Sequence, residues 1–567
     1  MSDDTFRRAF GEQFFDRFWQ LNPDWAIAIG YYKYADRLVV PDAASREETL
    51  KQLDRWLSQL RGIDPSTLSA AVRADRAMLE NEFLAEKWSL TDLRSWQWNP
   101  SVYNVAEPFA LLRDLTFAPL DERLRIFSRR LERVPAYYSA AKANIGGPTR
   151  EHTRLAIDQN RGVLSVFGPD IEHALEMSGL SAAERSSFNR RLAAAREAVN
   201  DYVRWLEALD ERLANGAVAA RSFRLGAELY APKFAHEIQS GDTAEALYSR
   251  ALAEKDALHA RMTVLAGLLW PKYFPNEAAP ADALETIGRV IARLSDEHVA
   301  PADLVREVER QLPELTKWVN DHDLLELDES KPLIVRETPL HKRGIAGASI
   351  DAPGPYDASA PTYYNVTPLD GERAERAESW LREYNRWMLP VLNIHEAIPG
   401  HYVQLVYSNR SPSLIKSIFG NGAMIEGWAV YAERAMLESG YGEHRAEAWL
   451  VYSKWNLRSV CNTVLDYGVH VLGTTEAEAM DLLTRQAFQT EAEAAEKWQR
   501  VKLTNVQLTS YFSGYAAIVD LRETLKREQP GTFVLKRFHE QFLSYGRAPV
   551  RVMRGAVLGG LRTPCLF

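Results

Sequence analysis

Pro390-Val391-Leu392-Asn393-Ile394-His395-Glu396-Ala397-Ile398-Pro399-Gly400-His401-Tyr402 places two imidazoles and a carboxylate close together on a segment that begins as an apolar helix. Pro390 suits a first helical turn, where its missing N–H loses no partner. Val391, Leu392 and Ile394 make the flanks apolar, so His395 and Glu396 need partners, because a buried polar group without one is costly. Two histidines with a glutamate suit a divalent ion with a general base beside it. The common zinc-peptidase pattern sets its histidines four apart on one helix face; here they are six apart. At ~100° per residue an ideal helix would separate His395 and His401 by about 240°, too far to share an ion. Pro399 cannot donate to a helical carbonyl, and Gly400 readily takes irregular backbone. The helix is therefore expected to loop out at Pro399-Gly400 and return His401 to the face of His395.

A third ligand is expected from a second helix, Asn421–Gly440, whose apolar positions include Met424, Trp428, Tyr431 and Met436. Glu426 and Glu433 lie seven apart within it, hence on one face. Glu426 follows His395 by 31 residues, a spacing like that at which zinc peptidases of the His-His-Glu class supply their glutamate. His395, His401 and Glu426 leave a fourth position for water, the catalytic rather than the structural arrangement of zinc. Glu396 is then the general base, and Glu433 is expected to orient His401 from behind. The competing reading is a buried salt-bridge network. Of the other two His-Glu pairs, His236-Glu237 and His539-Glu540, neither has a second histidine close behind, and both read as solvated helix positions.

Outward from this centre the chain reads as helices. Phe6, Phe10, Phe14 and Phe18 recur every four residues as a core face. Helical patterns follow at 46–61, 68–87, 120–144, 150–178, 182–215 and 243–268, without a fixed-period repeat. Between about 326 and 370, Pro332, Pro339, Pro353, Pro355, Pro361 and Pro368 share a segment with Gly344, Gly347 and Gly354, and 331–338, 344–350 and 362–367 read as short strands. That segment is either a plain connection or a small sheet whose edge pairs with an extended substrate. The expected fold is mostly α, two-lobed with a deep groove and a small β element before the metal helix. Its parts are an N-terminal helical lobe at 1–325, the Pro/Gly-rich insert at 326–370 and a catalytic helical lobe at 371–567, folding as one unit.

With 46% hydrophobic residues the chain can bury a large core. Its net charge of −9 comes from well-mixed signs, with no basic block for nucleic acid. The two cysteines, Cys461 and Cys565, cannot build a disulfide framework. No secretory leader or membrane-spanning run is evident, so a cytoplasmic location with neither nucleic acid nor membrane as partner is expected.

Peptide hydrolysis also needs donors for a developing oxyanion. Arg458, Asn462, Asp466 and His470 recur every four residues on an otherwise apolar helix, which Gly473 ends and a Thr475–Glu478 capping box follows. This ladder is either a structural network or the wall of a polar cleft. In the cleft reading His470 is the transition-state donor, with Asp466 or Arg458 holding its neighbours, and Tyr511 is the second candidate. Tyr363 and Tyr364 are substrate-contact candidates, and Arg500 and Lys502 are candidates for a substrate carboxylate.

The pattern His395-Glu396-Ala-Ile-Pro399-Gly400-His401, followed by Glu426-Gly427-Trp428-Ala429-Val430-Tyr431-Ala432-Glu433, resembles the bacterial "domain of unknown function 885" family. So do Asn22–Gly30, Arg224–Tyr230 and Asp466–His470, so the likeness spans most of the chain. It implies kinship with gluzincin-like metallopeptidases and with the helical, deep-channel carboxypeptidases and oligopeptidases, hence a two-lobed helical fold with zinc in the groove. Where the family often carries a Pro-Gly-Gln-Ala-type segment before a late Ser-Tyr, this chain reads Val506–Gly514, which implies a subgroup preference for substrate. The expectation is a hydrolase with one zinc per chain acting on a short peptide or amide. A metal-dependent amidase of a non-peptide molecule and a non-catalytic helical scaffold are the alternatives. Manganese or cobalt fits the same ligands. A di-iron carboxylate protein is set aside, because no histidine has a glutamate three residues before it.

Overall fold

A computed structural model of the chain describes residues 2–338, 347–357, 361–369 and 373–560. Pro339, Gly344 with the start of the 344–350 strand, the 370/371 border and Cys565 lie outside the described residues. The architecture is mostly helical, with one three-stranded sheet among the described residues. Prolines explain where long helical patterns divide. The 120–144 pattern is two helices, Leu120–Leu131 and Val134–Asn144, with Pro135 in the first turn of the second; 150–178 divides the same way before Pro169. The 33-residue helix Ala182–Ala214 opens on a Ser181–Glu184 capping box.

The chain forms two compact units. One holds the described residues up to Arg76, Glu80–Phe223 and Gly354–Asp357; the other holds Ala77–Leu79 and the remaining described residues from Arg224 onward. In the first, Phe6, Phe10, Phe14 and Phe18 are buried, and successive rings lie 5.2, 5.5 and 5.8 Å apart. Part of the Pro/Gly-rich segment packs here, where Tyr356 Oη accepts from Trp19 Nε1 at 3.0 Å.

The second unit carries the motifs. Its helices relevant below are α1 (Leu304–Asp321), α2 (Leu389–Glu396), α3 (His401–Asn409), α4 (Gly422–Glu438), α5 (Ala446–Tyr467), α6 (Glu491–Leu503) and α7 (Ser510–Glu528). Helices before residue 325 also belong to it, so the expected 1–325 segment is shared between the units. Tyr230 Oη donates to Asp466 at 2.7 Å, Arg224 reaches the Thr474 carbonyl at 2.8 Å, and Lys272 pairs with Glu447. These ties bind the chain from residue 224 onward to α5, and the change falls in the non-helical stretch between the helices Ala182–Ala214 and Ala227–Ile238.

The sheet has the order β1-β3-β2, with β1 at Leu333–Glu337, β2 at Ala348–Asp351 and β3 at Thr362–Val366. β3 runs parallel to β1 and antiparallel to β2. Strand alternation sends Tyr363 and Tyr364 to opposite faces.

Helices α4 and α7 cross backbone to backbone. A Cβ at Gly427 would lie 2.3 Å from the Gly514 carbonyl carbon, and one at Gly514 would lie 1.6 Å from Ala423 O. Main chain cannot step aside as a flexible side chain can, so both positions require glycine. Gly427→Ala or Gly514→Ala is expected to cost at least about 1–3 kcal/mol, read as a lower Tm by calorimetry. Gly555→Ala, which faces open space in a helix, should leave Tm unchanged or raise it.

Candidate metal centre

Helix α2 ends at Glu396 and α3 begins at His401, so the two histidines sit on separate helices rather than on one looped helix. The amides of Ala397 and Ile398 both reach back to Asn393 O, at 2.9 and 3.2 Å, closing α2. The Ile398–Pro399 peptide is cis. Gly400 follows against the end of α2, where a Cβ would lie 1.9 Å from His395 O and 2.2 Å from Ile394 O. Trp428 Nε1 donates to Pro399 O at 2.9 Å, so α4 clamps the turn it faces.

This reversal brings the expected ligands together. Glu426 Oε2 lies 3.7 Å from His395 Nε2 and 3.5 Å from His401 Nε2, and one donor atom from each residue lies within 4.8 Å of the others. Donors around a tetrahedral ion at 2.0–2.2 Å are spaced by about 3.4 Å. The imidazole rings stand nearly perpendicular, 4.8 Å between centroids, each with a ring nitrogen turned to one point.

Glu433 backs His395, not His401 as expected. His395 Nδ1 lies 2.7 Å from Glu433 Oε1, which also accepts from Trp455 Nε1 at 3.0 Å. With Nδ1 engaged by Glu433, Nε2 is the nitrogen left to face an ion, the arrangement that makes histidine a better metal ligand. The sequence placed Glu433 on the correct face, but the helix break that decides which histidine it meets is a tertiary feature.

The electrostatics call for a cation. Glu396, Glu426 and Glu433 surround two imidazoles. Burial by itself would lower the His395 pKa, but hydrogen bonds to Glu426 and Glu433 outweigh it and raise it well above the ordinary value. Burial pushes Glu433 up as well. Glu426 goes the other way: burial opposes the charged form, yet His395 and His401 hold it below the carboxylate range. The residues fit a divalent ion, which would supply positive charge otherwise drawn from protons.

Glu396 makes no hydrogen bond or ion pair with any described residue. Burial raises its pKa, and His401 and His395 are its nearest opposing charges.

Other expected residues are placed elsewhere. His470 Nε2 lies 2.8 Å from both Val501 O and Thr504 O, and Asp466 Oδ1 accepts from Tyr230 Oη and from Val506 N at 2.7 and 2.9 Å. These two rungs of the ladder are structural, and His470 is spent on backbone carbonyls rather than on an oxyanion. Arg458 pairs with Glu383 and Glu493 at 3.4 and 3.3 Å. Tyr511 is half-buried, with its hydroxyl unbonded to any described residue and in electrostatic reach of Arg458.

Tyr364 is fully buried, and its Oη donates to Asn393 Oδ1 at 2.8 Å, which makes it a brace for α2 rather than a substrate contact. Asn393 Nδ2 in turn donates to Gln311 Oε1 on α1 at 2.8 Å. A polar residue between Leu392 and Ile394 was the available signal for this brace. Tyr363 lies under the Arg336 guanidinium, 3.8 Å from the ring centre. Arg500 is exposed and bonded to Gln507, and Lys502 lies over the Trp498 ring. His539, expected in solvent, is buried: Tyr431 Oη and Leu324 O lie 2.8 Å from its two ring nitrogens.

The family model described as "Bacterial protein of unknown function (DUF885)" matches residues 23–557. The chain belongs to the DUF885 family. A Shewanella oneidensis protein described as a "putative lipoprotein of unknown function" is similar to this DUF885 chain at 49% identity, with a TM-score of 0.90 over 98% of this chain and 100% of its own. A "putative lipoprotein" from Colwellia psychrerythraea shares the fold at 16% identity, with a TM-score of 0.78 over 99% of this chain and 98% of its own. No curated protein matches the chain. No helix among the described residues is long and apolar enough to cross a membrane.

His395→Ala, His401→Ala and Glu426→Gln are each expected to abolish stoichiometric zinc in protein purified without chelator, measured by plasma mass spectrometry. Glu433→Gln should weaken zinc affinity about 10–100-fold in a competition titration.

Proposed function

We propose that this DUF885 chain is a zinc-dependent hydrolase of peptide or amide bonds, with His395, His401 and Glu426 as ligands and Glu396 as general base. The observation that carries the reading is the unpaired Glu396 carboxyl directly beside a convergent His-His-Glu set. A structural site has no use for a third, unengaged acid next to its ligands. On this reading the His395-Glu396 and Glu426 motifs are those of a gluzincin-type peptidase with a widened histidine spacing.

A divalent ion bound here supplies Lewis acidity to a substrate carbonyl and lowers the pKa of a water. The carboxylate of Glu396 takes a proton from the attacking water and returns it to the departing nitrogen. Its raised pKa brings its proton affinity closer to neutrality, as suits a group that must both accept and give. Glu433 fixes the His395 ring through Nδ1. Tyr511, with its hydroxyl uncommitted, is the remaining donor candidate for the oxyanion. For compartment, the description of the Shewanella oneidensis protein as a "putative lipoprotein" favours a non-cytoplasmic setting over the cytoplasmic one expected from the sequence.

Glu396→Gln is expected to keep about full zinc content while losing roughly 10²–10⁴-fold in kcat against a library of blocked dipeptides and N-acyl amino acids. Unchanged turnover in that variant, or no turnover of any library member by the zinc-loaded parent, would sink the hydrolase reading in favour of a structural metal.

A further inference from the structure

Helix α6 carries a lysine that the metal centre does not explain. Lys497 is 7% exposed, yet its amine makes no hydrogen bond or ion pair with any described residue. Its Nζ is not among the fully enclosed unpaired polar atoms, so the amine keeps an opening. Lysines are almost never withdrawn this far from water without a partner.

The carboxylates nearby are already engaged. Glu383 accepts from Lys454 and from Arg458. Glu493, one turn before Lys497 on α6, pairs with Arg458 and accepts from Thr490 N at 3.0 Å. Among the described residues, Lys454, Arg458 and Lys497 are therefore set against two carboxylates, Glu383 and Glu493, which leaves one positive charge over. Arg500 adds further repulsion from the surface. Burial first, and then Arg458 and Arg500, push the Lys497 amine well below its ordinary pKa. An anion beside it would reverse that shift.

The cluster lies close to the metal centre. The Arg458 guanidinium is 5.2 Å from the Trp455 ring, and that ring is 6.5 Å from the His395 imidazole. Tyr384 stands 6.1 Å from the same Trp455 ring, within electrostatic reach of both Arg458 and Glu396. Laid end to end, the two steps from Arg458 through Trp455 to His395 come to about 12 Å, an upper bound on the separation, which three to four extended residues of 3.3–3.6 Å each would span.

We propose that Lys497, assisted by Arg458, is the recognition site for a free carboxylate on the substrate, one to three residues beyond the bond attacked beside Glu396. The proposal rests on the hydrolase reading and gives its substrate class: peptides and acyl amino acids that end in an unblocked carboxylate. It moves the carboxylate role from the exposed Arg500 and from Lys502 to a lysine on the same helix that is short of a partner. A carboxylate there completes the charge balance of the cluster, with Arg458 offering a planar fork and Lys497 a point charge.

The test is a calorimetric titration of the zinc-supplied, full-length Glu396→Gln chain with N-acetyl-Ala-Phe and with its C-terminal amide. The acid is expected to bind at least tenfold tighter than the amide. Lys497→Met and Lys497→Gln should each bring that ratio close to one, and Lys497→Arg should preserve most of it. Because Lys497 has no partner to lose, the Met variant should melt no lower than its parent. Equal affinity for acid and amide, binding of neither, or a ratio that survives both substitutions overturns the proposal. Turnover by the parent is scored separately. Selective binding of the acid with no hydrolysis would retain the carboxylate site and discard the hydrolase, whereas hydrolysis of acid and amide alike with equal binding would do the reverse.

Discussion

The contact between Gly400 and the last carbonyls of α2 is the constraint on which the site depends. A side chain at residue 400 would occupy the space of His395 O and Ile394 O, so the chain can fold back on the end of α2 only if nothing projects from that Cα. The fold-back starts α3 at His401. With two helix axes instead of one, the angular drift of a six-residue spacing no longer matters, because each histidine is aimed by its own helix. Trp428 seals the turn from α4 by bonding the Pro399 carbonyl, and the same helix presents Glu426, two residues earlier, within reach of both imidazoles.

Burial gives the site its character. Five ionisable side chains share a volume with little water, and three are acids. Desolvation alone would make each carboxyl neutral and each imidazole uncharged. The shifts show which interactions prevail: Glu426, between two imidazoles, stays ionised, while Glu396 and Glu433 are driven upward. Two acids of the same cluster, Glu426 and Glu396, thus differ in proton affinity because both histidines hydrogen-bond the first and act on the second only as nearby charges. That separation is what the proposed division into ligand and base rests on.

Much of this was legible in the sequence because it is encoded in local chemistry. The three strands fall where Pro, Gly and β-branched residues cluster, and the Thr475–Glu478 box is found as written. His395, His401 and Glu426 were legible because a His-Glu pair on an apolar helix needs partners, and the 421–440 helix carries Glu426 and Glu433 on one face. The misses share a physical cause. A ladder of polar residues four apart looks the same whether it lines a cleft or stitches loops, and Asp466 and His470 stitch loops. Glu433 and His539 have partners set by how helices cross, which no spacing records. Lys497 reads as a surface lysine in any window, and only its burial makes it unusual.

The glycine crossing of α4 and α7 has a mechanical consequence. Ordinary helix pairs meet through side chains, which slide and change rotamer, so one helix can shift without dragging the other. Here the backbones touch directly at Gly427 and Gly514, next to Glu426 on one helix and three residues from Tyr511 on the other. The two helices therefore behave as one stiff beam at that point, and the spacing between Glu426 and Tyr511 is fixed like a dimension of the scaffold. Any difference in the surroundings of Glu426 and Tyr511 has to come from neighbouring side chains, because the beam itself offers no play.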